Sequence, residues 1–240
     1  GTNINAQTKR GSTALSLATK KDHTDVISII TKQVNYLEKV FNCIGHDAQI
    51  LAQLLHEGLS PNSQNAQGEY LLAVAAEKGD VNALMLLLKS GALVDTPDKN
   101  GWTALMKASE QGHSKIVQTL LLAGGNPKVK TKNGSTALMK ASEKGHSEIV
   151  QTLLLAGANP EVETENGNTA LTLAAEKGHT EIIQALLEAK ADINTKGWNG
   201  KTALMAASEN GHPEIVSILI EQGTNIYEQT KRGSTALSLA

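Results

Sequence analysis

The sequence predicts an all-α solenoid built from stacked helix pairs, and its most informative feature is a fixed period. Glycine recurs every 33 residues, at Gly68, Gly101, Gly134, Gly167, Gly200 and Gly233. Each of the first five glycines opens a near-copy of one unit, most clearly NGSTALMKASEKGHSEIVQTLLLAGANP at residues 133–160. A constant period of this length is typical of repeat architectures, in which each unit buries its apolar face against its neighbours. Aromatic residues make up only 2% of the 240 residues, so the predicted core is aliphatic.

A single unit predicts two short helices. In the unit that starts at Gly101, Thr103 is a good N-cap for a helix over residues 104–110, and Gly112 is placed to end it. A second helix opens at His113 and carries the apolar stripe Ile116, Val117, Leu120 and Leu121. Helices of about eight residues are marginal alone, so the pairs are expected to stack.

These motifs resemble the ankyrin repeat family. The matching residues are the frame glycines, the Thr-Ala-Leu triplets, the Gly-His pairs, the Ile-Val or Ile-Ile pairs, the Leu-Leu pair and the closing Gly-Ala-Asn. The resemblance implies an ankyrin-repeat solenoid of about seven stacked helix-turn-helix units plus a C-terminal half repeat. One departure is systematic: the family's Thr-Pro-Leu-His is here Thr-Ala-Leu-Met, or Thr-Ala-Leu-Thr at residues 169–172. We expect packing to replace the family's histidine hydrogen bonds.

The sequence divides into four segments. Residues 68–223 form five regular 33-residue repeats with fingers, the loops that lead into each frame glycine. Before them, residues 1–33 are an ankyrin-like repeat that resembles a C-terminal unit, and residues 34–67 are a degenerate capping-type repeat. About nine residues, one finger, are missing at the Gln33–Val34 junction. Residues 224–240 are a partial repeat, with a first helix and no second one.

The two ends of the sequence are related. Residues 1–18 and 223–240 are identical except that Asn5 and Ala6 are replaced by Tyr227 and Glu228. Three interpretations stay open: an engineered, permuted or otherwise rearranged array, an excerpt of a longer natural protein in which two arrays meet at residue 33, or a plain array with one repeat that lost its finger. Under the first two, the half repeat leaves apolar surface uncovered, and we expect head-to-tail self-association through the termini.

Composition restricts the partners. The formal net charge is −2, which gives no overall electrostatic case for nucleic acid or an anionic membrane. The single cysteine, Cys43, excludes an intramolecular disulfide and favours an intracellular, cytoplasmic location. No apolar run approaches the ~18 residues of a membrane span. We therefore expect a protein partner of unknown identity, with no nucleic acid and no membrane.

No pattern of catalytic or metal-binding residues emerges, and we expect neither enzymatic activity nor a cofactor. Five histidines share one register, but side chains one repeat apart would lie ~10 Å from each other, too far to share a metal. We expect them to satisfy local backbone groups at the start of each second helix. The glutamates that precede the Gly-His pairs are expected to form a solvated row, and Cys43 a buried thiol.

The expected binding surface is the concave side, which the family forms from finger tips and first helices. The positions that vary between units while the frame stays constant are the residues flanking each frame glycine and those before each Gly-His pair. They are Lys99, Asn100, Trp102, Glu110, Gln111, Lys132, Asn133, Ser135, Glu143, Lys144, Glu165, Asn166, Asn168, Glu176, Lys177, Trp198, Asn199, Lys201, Glu209 and Asn210. Both tryptophans belong to this set, and tryptophan is enriched at binding hot spots. The competing interpretation is that a finger tryptophan packs on the next finger.

The sequence thus predicts a non-enzymatic protein–protein interaction scaffold. Two alternatives remain: a structural or self-assembling repeat array, natural or engineered, and a targeting module of a larger protein such as a bacterial effector.

Overall fold

The computed structural model describes residues 8, 12–65 and 67–240. Over these residues the chain is helical, and the β-type pairing is confined to an isolated bridge between Gln64 and Tyr70. The α-helices are α1 Ala14–Lys20, α2 Thr24–Cys43, α3 Ala48–His56, α4 Leu71–Lys78, α5 Val81–Lys89, α6 Ala104–Gln111, α7 Ser114–Leu122, α8 Ala137–Lys144, α9 Ser147–Leu155, α10 Ala170–Lys177, α11 Thr180–Glu188, α12 Ala203–Glu209, α13 Pro213–Glu221 and α14 Ala236–Leu239. A short 3₁₀ turn lies at Trp198–Gly200.

The regular helices begin and end where local chemistry requires it. Thr103 Oγ1 accepts a hydrogen bond from the backbone N–H of Met106, so the first turn of α6 is capped by a side chain. Gly112 ends α6 with φ of 81°, a left-handed conformation that costs glycine no steric penalty. The same threonine cap and left-handed glycine recur at α8 and α10, which confirms the predicted helix boundaries.

The helices stack in two layers. The first helices α4, α6, α8, α10, α12 and α14 pack each on the next, and the second helices α3, α5, α7, α9, α11 and α13 form a parallel row behind them. Each unit contributes the same aliphatic residues to the core: Leu105, Ile116 and Leu120, for example, are at most 1% exposed. The predicted solenoid of stacked helix pairs is therefore confirmed.

The histidines of the Gly-His pairs join one unit to the one before it. His146 Nε2 donates to the backbone carbonyl of Glu110, 36 residues upstream, at 3.0 Å, and His113, His179 and His212 make the corresponding bond at 3.1–3.2 Å. The prediction of a local backbone partner was wrong, because the imidazole reaches across the interface between units. It also packs on the left-handed glycine of the preceding unit.

Methionine fills the place of the family's Thr-Pro-Leu-His histidine. Met106, Met139 and Met205 are each 1% exposed, so their flexible side chains occupy core volume. In the fourth copy, Thr172 instead completes a capping box with Thr169: its hydroxyl accepts from the backbone N–H of Thr169 at 2.9 Å. Packing and capping thus both substitute for the absent histidine.

Where the finger is missing, the structure has no loop at all. α2 runs without a break across the Gln33–Val34 junction for 20 residues, joining the second helix of one predicted unit to the first helix of the next. Its C-terminal part is buried, with Val40 fully inaccessible. Its N-terminal part packs on α1 and remains largely exposed: Val26 is 44% accessible.

Candidate protein-interaction surface

The fingers are hairpins held by a side chain at their first position. In the finger of residues 98–102, Asp98 Oδ1 accepts from the backbone N–H groups of Asn100 and Trp102 at 2.8 and 2.9 Å. In the next two fingers a threonine takes the place of this aspartate, since Thr131 Oγ1 accepts from Ser135 N and Thr164 Oγ1 from Asn168 N, both at 3.0 Å. Such side-chain bonds shape a tight turn without help from a neighbouring element.

Neighbouring fingers are joined by a backbone ladder. Lys132 N donates to Asn100 O at 2.9 Å, and Glu165 N donates to Asn133 O at the same distance. At the equivalent step to the following finger, Trp198 N donates instead to the side-chain Oδ1 of Asn168 at 3.2 Å. The ladder resumes beyond it, with Lys231 N bonded to Asn199 O at 2.8 Å.

The finger of residues 197–201 differs because glycine stands at its first position. Gly197 has no side chain to accept from the turn, so the tip forms the 3₁₀ turn Trp198–Gly200, and Asn199 takes a left-handed φ of 57°. Trp198, at this altered tip, is 63% exposed. The finger in which glycine replaces the hydrogen-bonding residue at the first position therefore carries the more exposed of the two tryptophans.

Trp198 stands between two clefts. The larger, of about 600 Å³, lies between the fingers and the ends of the first helices, and is lined by Glu165, Asn166, Gly197, Trp198, Asn199, Lys201, Glu209, Thr230, Lys231, Arg232, Ser234 and Leu239. The smaller, of about 120 Å³, reaches from Trp198 to Glu176 and Ala206 on the first helices. Lys201 and Glu209, which both line the larger cleft, form an ion pair. An exposed indole flanked by charged groups of both signs is thus available to a partner.

Trp102 has a different environment. It is partly buried against the core, and two ammonium groups lie over its ring, Lys140 Nζ at 4.7 Å and Lys107 Nζ at 5.5 Å from the centroid. Cation–π contacts of this kind hold a ring in place. Trp102 therefore packs against the first helices α6 and α8, and not on the next finger as the competing interpretation of a finger tryptophan expected.

The same lysines bind the glutamate row. Lys107 Nζ lies 3.3 Å from carboxylate oxygens of both Glu69 and Glu77, and Lys140 Nζ lies 3.8 and 3.7 Å from those of Glu110 and Glu143. The expected solvated row is thus partly buried and ion-paired. Lys107 thus reaches two carboxylates of the preceding unit, and Lys140 joins one carboxylate of the preceding unit to one of its own.

Two pKa shifts follow from this arrangement. Burial opposes ionisation of Glu69, but the hydrogen bond from Asn65 and the ammonium of Lys107 outweigh it and hold the pKa of Glu69 below its ordinary value. Burial likewise disfavours the charged form of Lys107, but Glu77 and Glu69 outweigh it and raise the lysine's pKa. Both groups are therefore more firmly charged in the folded protein than in an unfolded chain.

The predicted partner-binding residues differ in how much surface they present. Twelve are exposed: Lys99, Asn100, Gln111, Lys132, Asn133, Lys144, Glu165, Asn166, Lys177, Trp198, Glu209 and Asn210. Seven are partly buried: Trp102, Glu110, Glu143, Asn168, Glu176, Asn199 and Lys201. Ser135 is only 6% exposed, because it closes the finger turn on Thr131, and it has little surface to offer.

Sequence reasoning missed three features of this surface. Lys107 and Lys140 were not selected, although their position one turn into each first helix places them beside the glutamate row. Lys231 and Arg232 were also omitted, because they belong to the partial repeat. A further cleft of about 410 Å³ lies beside α2, with Val34, Leu37, Phe41 and the carboxylates of Glu38, Glu69 and Glu77 in its wall. The finger missing at the Gln33–Val34 junction was the sequence feature that could have indicated this cleft.

The described residues contain no group of three or more histidine, cysteine or acidic side chains placed to hold a metal ion. None of the helices described is long and apolar enough to cross a membrane. Cys43 is buried, and burial together with nearby Asp47 raises the pKa of its thiol, which disfavours the reactive thiolate.

Comparison with known proteins agrees with this architecture. A profile for ankyrin repeats matches three times, over residues 40–130, 108–197 and 192–240. No significant match was found among curated proteins. The profile spans most of the chain, the helix pairs stack as the repeats require, and ankyrin repeats generally serve as protein–protein interaction modules; the chain belongs to the ankyrin-repeat family.

Proposed function

We propose that the chain is a non-enzymatic scaffold that binds a protein partner on its concave surface, with Trp198 as the anchor. The observation that carries the proposal is the contrast between the two tryptophans. Trp102 is held by two lysines against the stack, whereas Trp198 is 63% exposed at a finger tip beside a cleft. Tryptophan contributes large area at low entropic cost, which suits it to be the centre of a binding site.

The charges around the anchor indicate what it accepts. Lys201, Lys231 and Arg232 face Glu165 and Glu209 in the larger cleft, so neither sign of charge dominates. Such a rim fits a mixed polar protein surface that places an apolar side chain against the indole. A polyanion would need a continuous basic track, which this cleft does not form.

The test is a binding assay with matched aromatic variants. The wild-type chain is used to capture partners from candidate lysates, and each captured protein is purified and titrated against Trp198→Ala. We expect the affinity to fall by roughly tenfold or more, the usual effect of truncating a hot-spot residue. Because Trp198 is exposed, its truncation should leave the unfolding midpoint nearly unchanged.

Tyr227→Ala is the control, since Tyr227 is 81% exposed and lies outside both clefts. The proposal is wrong if Tyr227→Ala weakens binding as much as Trp198→Ala does, or if Trp198→Ala binds like the wild type. Trp102→Ala should instead lower stability, because its ring packs beneath two lysine side chains.

A further inference from the structure

A cleft beside α2 opens where the stack lacks a finger. The finger that carries Asn65 is shaped like the regular ones, because Asn65 Oδ1 accepts from the backbone N–H groups of Gln67 and Glu69 at 3.0 and 2.9 Å. The fingers at 131–135 and 164–168 are each bonded to the finger before them, whereas this one borders a space of about 410 Å³ that extends to α2. A volume between about 300 and 1,000 Å³ is usual for a ligand pocket. We name this space the α2 cleft.

Part of the lining of the α2 cleft is apolar. Val34, Leu37 and Phe41 lie three and four residues apart, so they share one face of α2, and Val74 of α4 adds to the apolar lining. Phe41 and Val74 are each 7% exposed, whereas Val34 and Leu37 are only half-buried. An apolar side chain placed here removes the remaining surface of these residues from water, which favours its binding.

Carboxylates outnumber cations among the described residues that line the α2 cleft. Glu38, Glu69 and Glu77 line it together with one cation, Lys78. The ammonium of Lys78 is already engaged, because its Nζ donates to the backbone carbonyl of Ile44 at 2.9 Å, just beyond the end of α2. This bond ties α4 to α2, so the two walls of the cleft are held in place in the free protein, which lowers the cost of binding.

The three carboxylates are not equally neutralised. Lys107, which does not line the cleft, lies 3.3 Å from carboxylate oxygens of both Glu69 and Glu77, so one ammonium serves two carboxylates. Lys99 also attracts Glu69, without a hydrogen bond. Glu38 is exposed and has no ion pair among the described residues. It is therefore the carboxylate of the α2 cleft that is most open to a new cation, and it lies directly beside the apolar part of the lining.

We propose that the α2 cleft binds a segment of a protein partner in which an apolar side chain is followed by an arginine or a lysine. The apolar side chain covers Val34, Leu37 and Phe41, and the cation reaches Glu38. A basic side chain suits this position because its aliphatic stem also covers apolar surface while its head stays at the rim. Arginine fits best, since its guanidinium can bond to both oxygens of one carboxylate.

This site is separate from the anchor proposed above. The α2 cleft is lined by residues between positions 34 and 78, and none of them lines either cleft beside Trp198. The larger cleft beside Trp198 contains cations and carboxylates in similar number, so the two sites select different segments. Trp198→Ala should leave binding at the α2 cleft unchanged, and the failure of either proposal leaves the other standing.

The first test titrates the full chain with short peptides and follows its amide signals by NMR. The probe is acetyl-Ser-Gly-Leu-Arg-Gly-Ser-amide, and matched peptides carry glutamine or glutamate in place of the arginine. We expect the arginine peptide to shift signals of residues 34–42 and 67–78 and to bind about threefold more tightly than the glutamine peptide, with the glutamate peptide weakest. A fourth peptide, with glycine in place of leucine, should bind about tenfold more weakly than the probe.

The second test changes the charge of the cleft. Glu38→Gln should remove the preference for the arginine peptide over the glutamine peptide, and Glu38→Lys should reverse it in favour of the glutamate peptide. Because Glu38 is exposed, both variants should keep the unfolding midpoint of the wild type. Glu188→Gln is the matched control, since Glu188 is an exposed glutamate at the end of α11 and lines none of these clefts.

Three outcomes overturn the proposal. The first is that none of the peptides shifts the signals of residues 34–42 and 67–78. The second is that Glu188→Gln changes the peptide preference as much as Glu38→Gln does, which indicates attraction to the acidic protein as a whole. The third is that Glu38→Lys still prefers the arginine peptide, which shows that the cation does not reach Glu38.

Discussion

At the scale of single residues, the stack is held by side chains that reach across unit boundaries. The imidazole of His146 lies against Gly112 of the preceding unit and bonds to the Glu110 carbonyl. Lys107 joins Glu77 of the preceding unit and Glu69 of its finger. His146 and Lys107 therefore stabilise the interfaces between units.

The glycine–histidine contact predicts a difference between two glycines of similar backbone conformation. Gly112→Ala places a Cβ 2.6 Å from His146 Cε1, and Gly124→Ala places one in open space, both at φ above +80°. We expect Gly124→Ala to cost about 1–2 kcal/mol of unfolding free energy from left-handed strain alone. Gly112→Ala should cost about 1 kcal/mol more, because the imidazole must move and lose its hydrogen bond.

Urea denaturation of the two variants measures this difference. Adding His146→Ala to each variant supplies the control, since it should remove the extra cost at Gly112 and leave Gly124→Ala unaffected. Equal destabilisation by the two glycine substitutions would contradict the role given to the imidazole.

The lysine–carboxylate network predicts a pH dependence. The pKa of Glu69 is lowered in the folded protein, so its contribution is present above the unfolded value of about 4.3 and is lost as pH falls through the lower folded pKa. The raised pKa of Lys107 adds stability that is present below about pH 10.4 and lost as pH rises through the higher folded pKa. Stability should therefore form a plateau between these limits.

Lys107→Met tests the acid side of that plateau. The variant should be less stable than the wild type at pH 7, and the difference should shrink as the pH falls below the unfolded glutamate pKa of about 4.3, because protonated Glu69 no longer attracts the ammonium of Lys107. Lys115→Met is the control, because Lys115 is exposed and has no ion pair among the described residues. The measurement is the unfolding midpoint of each protein at neutral and at acid pH. A stability difference between Lys107→Met and the wild type that does not change with pH would contradict the proposed lysine–carboxylate network.

At the scale of elements, the helices are short and depend on their neighbours. α7 and α9 have nine residues each and bury the same three positions, Ile116, Val117 and Leu120 in α7 and their counterparts in α9. Two positions further on, Leu122 is 90% exposed. One helix thus contains both a core leucine and a solvent leucine, which separates the effect of burial from that of helix propensity.

Leu120→Ala should lower stability by ~2–5 kcal/mol, the usual cost of emptying a fully buried leucine site. Leu122→Ala, in the same helix, should change it by less than about 0.5 kcal/mol. In a linear array the loss is felt most by adjacent units, so hydrogen exchange should accelerate most in the helices next to α7. Equal acceleration at both ends of the stack would be inconsistent with nearest-neighbour coupling.

At the scale of the whole molecule, the unbroken α2 connects the regular stack to an N-terminal unit that is much less buried. Its C-terminal part contributes Val40 and Phe41 to the common core, and its N-terminal part contacts α1 and is largely exposed. A single helix therefore spans a well-buried region and a weakly buried one. A substitution that breaks the helix between them should destabilise the weakly buried region more than the well-buried one.

Gln33→Pro should separate them. Proline at this position removes a helical N–H and clashes with the carbonyl four residues earlier, at a cost of ~3 kcal/mol or more. We expect loss of exchange protection over residues 14–33 with little change in α4–α13. Gln33→Ala is the control and should leave both regions protected; unfolding of the central stack in the proline variant would show that the N-terminal unit supports the rest.

The features that follow from the repeat pattern could be predicted directly from the sequence. The 33-residue spacing, the threonine caps such as Thr103 and the closing glycines such as Gly112 predicted the helix pairs and their stacking, because capping and amphipathic packing are governed by residues close in sequence. The missing finger was also evident as a shortened spacing before Gly68.

Only the tertiary structure decided which side chains meet across units. The acceptor of His146 lies 36 residues away, and the two tryptophans look equivalent in sequence, each beside a frame glycine or close to one. Their environments differ because Lys107 and Lys140 reach over Trp102 from adjacent first helices, whereas Trp198 is 63% exposed in a finger whose first residue, Gly197, has no side chain to bond to the turn. Such contacts depend on how neighbouring units are placed in space, and a pattern read along one unit does not contain that information.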